Sequence, residues 1–482
     1  MRLLSSKVMG IFRVSGANLI ALVLSMLTSF VLPLFISVEE YGFWQLFVLY
    51  SGYTGFFVLG FNDGIQLNYA TFCYDENLAA KFRTFKGFLC SITLIESVLL
   101  LIALFFVFDT KSFNFYIALF VILNILPTAI IGLFTYMNQS TLRFKQYSVG
   151  NIIDKILFAI FMILLMVFRS KTSLTYIAAY TVSRYCVIIY HYYSSREVFT
   201  IKAAKINELK YEILANFRNG FPLMIAVILG GPSIIVGSRF LVEAKFGVEA
   251  FSAYSFSLHT LIIASQFISA VATVFYPILK RCTQEELGKM YGAFDKMASL
   301  AAALLLLSYY PAALLIKSIY SRYAVILTYL YIIYPLFLYQ CKSNVLVTNM
   351  YKVKNQPIRL IEVNAVGILI HVFCVYLAYV IWQSVVAISA ATLIAYSIWY
   401  YIYQLHTYKK EKWPIQSHVF RDLPIILVFI FVNLITMIIW GEGYLSIILS
   451  FAVYSGLLLL AYLVMRTQIR RDIRDFIKIM QD

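Results

Sequence analysis

Residues 35–44 read FISVEEYGFW, two glutamates and a glycine set between long apolar runs. Charge at such a point marks where the chain leaves an apolar medium. The flanks show which medium. Of 482 residues, 62% are hydrophobic, 17% aromatic and only 13% charged, and the mean hydropathy is +0.82. A water-facing surface cannot be built from that composition. A bilayer core about 30 Å thick takes roughly 20 apolar residues per helix, and runs of that length recur along the chain. They are continuously apolar, whereas barrel strands are about ten residues of alternating polarity. The chain therefore reads as an all-α polytopic membrane protein.

The apolar runs place fourteen transmembrane helices at 15–37, 41–66, 87–108, 113–137, 148–168, 172–191, 217–240, 248–276, 293–318, 324–347, 359–382, 384–405, 423–440 and 444–466. Positive residues are retained on the cytoplasmic side during insertion. With the N-terminus inside, the outside segments hold only Lys111, Arg169, Lys171, Lys245, Lys317 and Arg322, while the inside loops carry sets such as Lys81, Arg83 and Lys86, or Lys409, Lys410 and Lys412. Both termini are expected in the cytoplasm, and Glu39 and Glu40 in a short outside turn. The net charge of +16 is then a topology signal and an attraction to anionic lipid heads. Nucleic-acid binding is excluded because the basic residues belong to no soluble module.

Further local signals are structural. Trp44, Trp382 and Trp440 fall near outer helix ends, where an aromatic belt belongs. The six cysteines, Cys73, Cys90, Cys186, Cys282, Cys341 and Cys374, show no paired spacing, so no disulfide or metal site is indicated. The basic N-terminus leads into an apolar run too long for a signal peptide, and it is expected to stay as the first span.

The opening turn has an echo. FLVEAKFG at 240–247 repeats the aromatic, five residues, aromatic-Gly pattern of FISVEEYG about 205 residues on, and KVKNQ at 352–356 echoes RFKQ at 143–146 with nearly the same offset. An even number of helices per repeat makes the halves parallel, related by an axis along the membrane normal. The expected organisation is a six-helix lobe at 1–195, a cytoplasmic amphipathic linker at 196–216, a second six-helix lobe at 217–406, and 407–482 holding a loop, two more helices and a basic tail. In each turn glycine lets the chain reverse tightly while the acids stay in outside water.

The N-terminal stretch SGANLIALVLSMLTSFVLPLFISVEEYGFWQLFVLYSGYTGFFVLGF, with the six-plus-six-plus-two layout and basic even loops, resembles the polysaccharide transporter branch of the multidrug/oligosaccharidyl-lipid/polysaccharide (MOP) exporter superfamily, and most of all the Wzx-type O-antigen flippases. The resemblance implies a MATE-like pair of lobes in a bacterial inner membrane. It implies a carrier, not an enzyme, that moves an undecaprenyl-diphosphate-linked oligosaccharide to the periplasmic leaflet by alternating access. Membrane lipids are expected partners and no cofactor is indicated; the sequence leaves open whether a polysaccharide polymerase and chain-length regulator bind, and whether protons, sodium or the membrane potential drives transport.

Charges inside spans are costly and by default face a cavity or a partner. A diphosphate entering a protein cavity suits the planar donor fork of arginine, so Arg184 is the first choice for that contact, an ion pair locking two helices being the alternative. Arg239, Lys155, Lys296 and Lys342 complete the candidate substrate set, the lysines lying near enough to the inner surface to snorkel. Glu96, mid-span, is the candidate for ion coupling unless it pairs with Arg184. Asp63, in GFNDGIQ, is a candidate gate residue, sodium ligand or helix cap. His259 and His371 read as satisfied core histidines, and amides and aromatics such as Asn124, Asn364, Gln266, Tyr53, Tyr180 and Tyr254 are too common in kind to single out for sugar recognition. Rival readings are a peptidoglycan lipid-precursor flippase and a cation-coupled multidrug antiporter. No phosphate-binding loop or nucleophile elbow is present.

Overall fold

The computed structural model describes the backbone of residues 2–70, 72, 74–281, 283–354, 356–413 and 420–481. It describes the side chains of these residues except 2–15, 17, 18, 227, 231, 232, 262–278, 280, 281, 284, 285, 352, 357, 475 and 477–481. Cys73, Cys282 and the Gln266 side chain thus lie outside the described residues.

Helices account for the described secondary structure, and two compact units divide the chain, residues 1–227 and 228–482. The first holds α1 (Arg2–Phe35), α2 (Val38–Ser51), α3 (Phe61–Asn68), α4 (Glu76–Val107), α5 (Phe113–Leu123), α6 (Ile125–Ser140), α7 (Phe144–Val167), α8 (Ser173–Ser194), the short α9 (Glu197–Thr200) and α10 (Lys210–Ile228). The second holds α11 (Val236–Arg281), α12 (Gln284–Leu305), α13 (Tyr309–Ser318), α14 (Leu327–Ile333), α15 (Leu336–Lys342), α16 (Asn349–Val353), α17 (Pro357–Trp382), α18 (Val385–Lys410), α19 (Asp422–Trp440) and α20 (Tyr444–Gln481).

Every one of the fourteen segments falls on helical structure, yet among the described residues only eight helices are long and apolar enough to cross a membrane, or nine if the pair Ser321–Ile333 and Leu336–Tyr351, bent by 53°, is one span. The shortfall has local causes. The second segment is cut into α2, a 3-10 turn at Thr54–Val58 and α3, with Leu59 and Gly60 both at positive φ. The seventh breaks at Gly230 into α10 and a 3-10 turn. Serines, tyrosines and Arg184 dilute the apolar character of α8, and α1 contributes a shorter apolar stretch, Leu19–Phe35.

The opening turn departs from expectation. Reversal occurs at Ile36 and Ser37, not at the glycine: Ser37 is the N-cap of α2, its hydroxyl accepting from the Glu40 amide, while Gly42 lies a turn inside the helix with ordinary helical backbone. Glu39 and Glu40 occupy the first turn, where the helix dipole favours anions. Glu40 does not simply face water, because its carboxylate accepts from the Ser173 amide at 2.6 Å and the Ser173 hydroxyl at 2.5 Å, capping the start of α8. In the second copy the glycine does turn the chain: Gly247 has φ +83 and ψ 178 and splits α11. Trp44 also leaves the expected belt. It is buried, stacked on Phe158 at 5.3 Å between ring centroids and edge-on to Tyr180 at 6.0 Å, whereas Trp382 and Trp440 are exposed.

In the first unit α1 packs along α7, α7 along α8, and α6 against α3 and α4. The stretch after residue 195 is part of this unit. Val198, Leu209 and Ile213 enter a core with Phe61, Phe85 and Phe134. Lys81 pairs with Glu212 at 2.7 Å, and Tyr69 donates to the same carboxylate. A Cβ on Gly64 would stand 2.0 Å from the Asn216 carbonyl oxygen, and one on Gly220 would stand 1.9 Å from that of Gly60, so α3 and α10 cross with their backbones in contact. In the second unit α17 packs on α18, α14 on α18, and α20 along α19 and α12.

Candidate functional site

In the first unit the apolar faces of α6, α7 and α8 enclose a line of polar groups. Thr181 and Arg184 lie three residues apart on one face of α8. Thr181 accepts from Asn124 Nδ2 at 2.7 Å. One turn on, Arg184 donates through Nη1 to Asp154 Oδ1 at 2.8 Å and through Nη2 to the Thr128 hydroxyl at 3.4 Å. Thr54 donates to Thr128 at 3.2 Å, joining the broken second segment to the line. Lys155 meets the other oxygen of Asp154 at 2.9 Å.

One carboxylate thus serves two permanent cations, and the group carries a net positive charge. Its parts differ in access: the Arg184 side chain is 14% accessible and Asp154 10%, but Lys155 keeps 35%. The arrangement fixes an arginine with an aspartate and one threonine, and leaves the Lys155 side chain the most accessible of the three charged groups. Glu96 takes no part, since the acid partner of Arg184 is Asp154. It sits half-exposed on α4, with one carboxylate oxygen buried and lacking a hydrogen-bond partner. Asp63, in the first turn of α3, accepts from the Tyr136 hydroxyl at 3.3 Å.

In the second unit Arg239 donates to the Ser255 hydroxyl at 3.2 Å and lies over the Phe251 ring at 5.4 Å. His259 bonds the Ser255 carbonyl at 2.8 Å. His371 ends a buried run of side-chain contacts through Thr392, 3.4 Å away, Tyr254 and Ser238. Lys296 pairs with Asp472 at 3.7 Å, a carboxylate it shares with Arg421 at 3.0 Å.

Lys342 corrects the snorkelling expectation. Its side chain has no accessible surface, and its ammonium touches Asp295 at 2.7 Å, Asp422 at 2.5 Å and the Ser299 hydroxyl at 2.8 Å. A lysine with all three donors occupied inside the protein is not placed to receive a substrate. Asp422 was hidden in the sequence by its position at the edge of an apolar run, whereas Asp295 stands beside Lys296 inside a predicted span. The signal available was Lys342 itself, since an ammonium inside a span needs carboxylates. Among the described residues no group of histidines, cysteines and carboxylates is arranged to hold a metal ion.

No family model and no curated protein matches the chain. Solved structures do. A MOP superfamily transporter from Pyrococcus furiosus, noted for the reverse polarity of its binding pocket, is similar with a TM-score of 0.57 at 13% identity, covering 84% of this chain and 95% of its own. The lipid II flippase MurJ, in its inward closed conformation, gives 0.57 at 14% identity over 95% of this chain and 99% of its own. An inward-facing multidrug resistance MATE family transporter of the MOP superfamily gives 0.58 at 12% identity over 82% and 98%. The chain has the fold of MOP superfamily transporters. At these identities the likeness is one of fold, and with its apolar helices the MOP fold makes this a multi-pass, all-α membrane protein.

Proposed function

We propose that the chain is a flippase of the bacterial inner membrane, with both termini cytoplasmic, that moves an oligosaccharide linked through diphosphate to undecaprenol into the periplasmic leaflet. The observation that carries this reading is the net positive charge of Asp154, Lys155 and Arg184, three groups held on adjacent helices with Lys155 accessible. A diphosphate loses hydration on entering a protein, and a prearranged cation beside a fixed guanidinium offsets that loss. Arg184 orients the site through Asp154, and Lys155 makes the first contact. A cationic drug would be repelled by the same cluster, which disfavours multidrug export.

A peptidoglycan lipid-precursor flippase is the second reading. The likeness to the lipid II flippase MurJ supports it, because that likeness extends over 95% of the chain, against 84% and 82% for the other two.

The test uses proteoliposomes with undecaprenyl-diphosphate oligosaccharide in one leaflet and an external glycosidase to report its arrival in the other. Transfer is expected to need the protein, to fall at least tenfold with Lys155→Glu, and to be lost with Arg184→Glu. A lipid-linked peptidoglycan precursor that moves while every other glycan fails would select the second reading. Export of a cationic dye with no movement of any lipid-linked glycan would overturn both.

A further inference from the structure

Asp295 on α12, Lys342 at the end of α15 and Asp422 at the start of α19 meet where none of the three side chains has accessible surface. Asp295 is further held by Gln404 Nε2 at 2.9 Å and the Tyr400 hydroxyl at 3.2 Å. Asp422 is not so provided for: Oδ2 takes the lysine, and Oδ1, buried, has no hydrogen-bond partner. The other titratable groups near the two acids are the phenols of Tyr291, Tyr339, Tyr400, Tyr401 and Tyr408. Arg421, next in the chain, is committed to Asp472. One ammonium therefore faces two carboxylates in a site closed to water. Two like charges in a low dielectric with a single counter-charge do not both persist; the pair keeps a proton.

We infer that the Asp295–Lys342–Asp422 triad is a proton-binding site, holding one proton on the aspartate pair, with Asp422 Oδ1 as its resting atom. Protonated, the triad is neutral and ties the start of α19 to α12 and α15. Deprotonated, it carries a net negative charge in a dry site, which loosens that tie unless water enters. Proton occupancy and this attachment of the start of α19 are thus one equilibrium. That this proton drives transport rests on the flippase reading, but its binding does not.

The test needs no substrate. Infrared spectra of the purified protein, with the aspartate side-chain carboxyls labelled with carbon-13 so that glutamates are set apart, report protonated aspartate by its carbonyl stretch. At pH 7 the wild type is expected to show this band. Asp422→Asn and Asp295→Asn are each expected to lose one carboxyl's worth of it, because either leaves a matched Lys–Asp pair. Lys342→Met is expected to gain one, because both acids are then held neutral. A wild type without the band, or Asn variants that keep its full intensity, would overturn the inference. If neither Asn variant folds, an unchanged band in Lys342→Met would overturn it and a gain would support it. A flippase failure with this pattern intact would refute the transport reading alone.

Discussion

At the scale of single residues, the buried charges sort by their partners. Arg184 has a carboxylate that it shares with Lys155, so removing the acid leaves two cations in an apolar setting. Breaking a buried pair from one side costs about 3–5 kcal/mol. Asp154→Asn is therefore expected to lower the thermal stability of the purified protein by an amount of that order. Adding Arg184→Gln to it should recover part of the loss, as the coupling term of a double-mutant cycle. Equal, additive losses would mean that the two residues do not interact in solution. The sequence made Arg184, Lys155 and Lys342 visible as costly charges inside spans. It could not give their partners, because pairing across helices depends on the rotation of each helix about its axis, which continuously apolar runs leave unmarked. Of the two histidines singled out, His259 bonds a backbone carbonyl, while His371 reaches the Thr392 hydroxyl through one ring nitrogen and leaves the other buried without a partner.

Elements were legible in place but not in continuity. All fourteen apolar segments are helical, since burial in lipid leaves the backbone no other way to satisfy itself. The breaks were not foreseen where they depend on backbone conformation. Gly42 and Gly247 look alike in sequence, yet one sits inside α2 and the other has φ +83 and ψ 178, a region open only to glycine. Gly247→Ala is accordingly expected to destabilise the protein by about 1–3 kcal/mol, whereas Gly42→Ala meets no such backbone restriction. Thermal unfolding of the two variants in one detergent checks the difference, and equal effects would show that the kink is not held by that dihedral. Glu40 of the opening turn acts at this scale as well, by capping the N-terminal end of α8.

For the whole molecule, the bias of lysine and arginine predicts which loops face the cytoplasm. Single cysteines placed at Lys111, Lys171 and Lys317 in a chain lacking its own six are expected to react with a membrane-impermeant maleimide added to intact cells. Cysteines at Lys145, Lys289 and Lys410 are expected to react only after permeabilisation. The reverse pattern would invert the topology and with it the direction assigned to transport. Periodicity and charge were enough to read the fold class because a bilayer imposes both. They do not show that the stretch around 212–220 meets α3 and α4, because those contacts are made by glycines and by one glutamate far along the chain.

That boundary bears on how the chain is made. Gly64 lies against Asn216, Gly220 lies against Gly60, and Glu212 holds Lys81 and Tyr69. Nascent α3 and α4 therefore emerge from the ribosome long before the helix that completes them. Until α10 follows, Lys81 lacks its acid, and Gly60 and Gly64 at the start of α3 leave an open groove. Synthesis of α3 and α4 is thus early, while the contacts that close them are late.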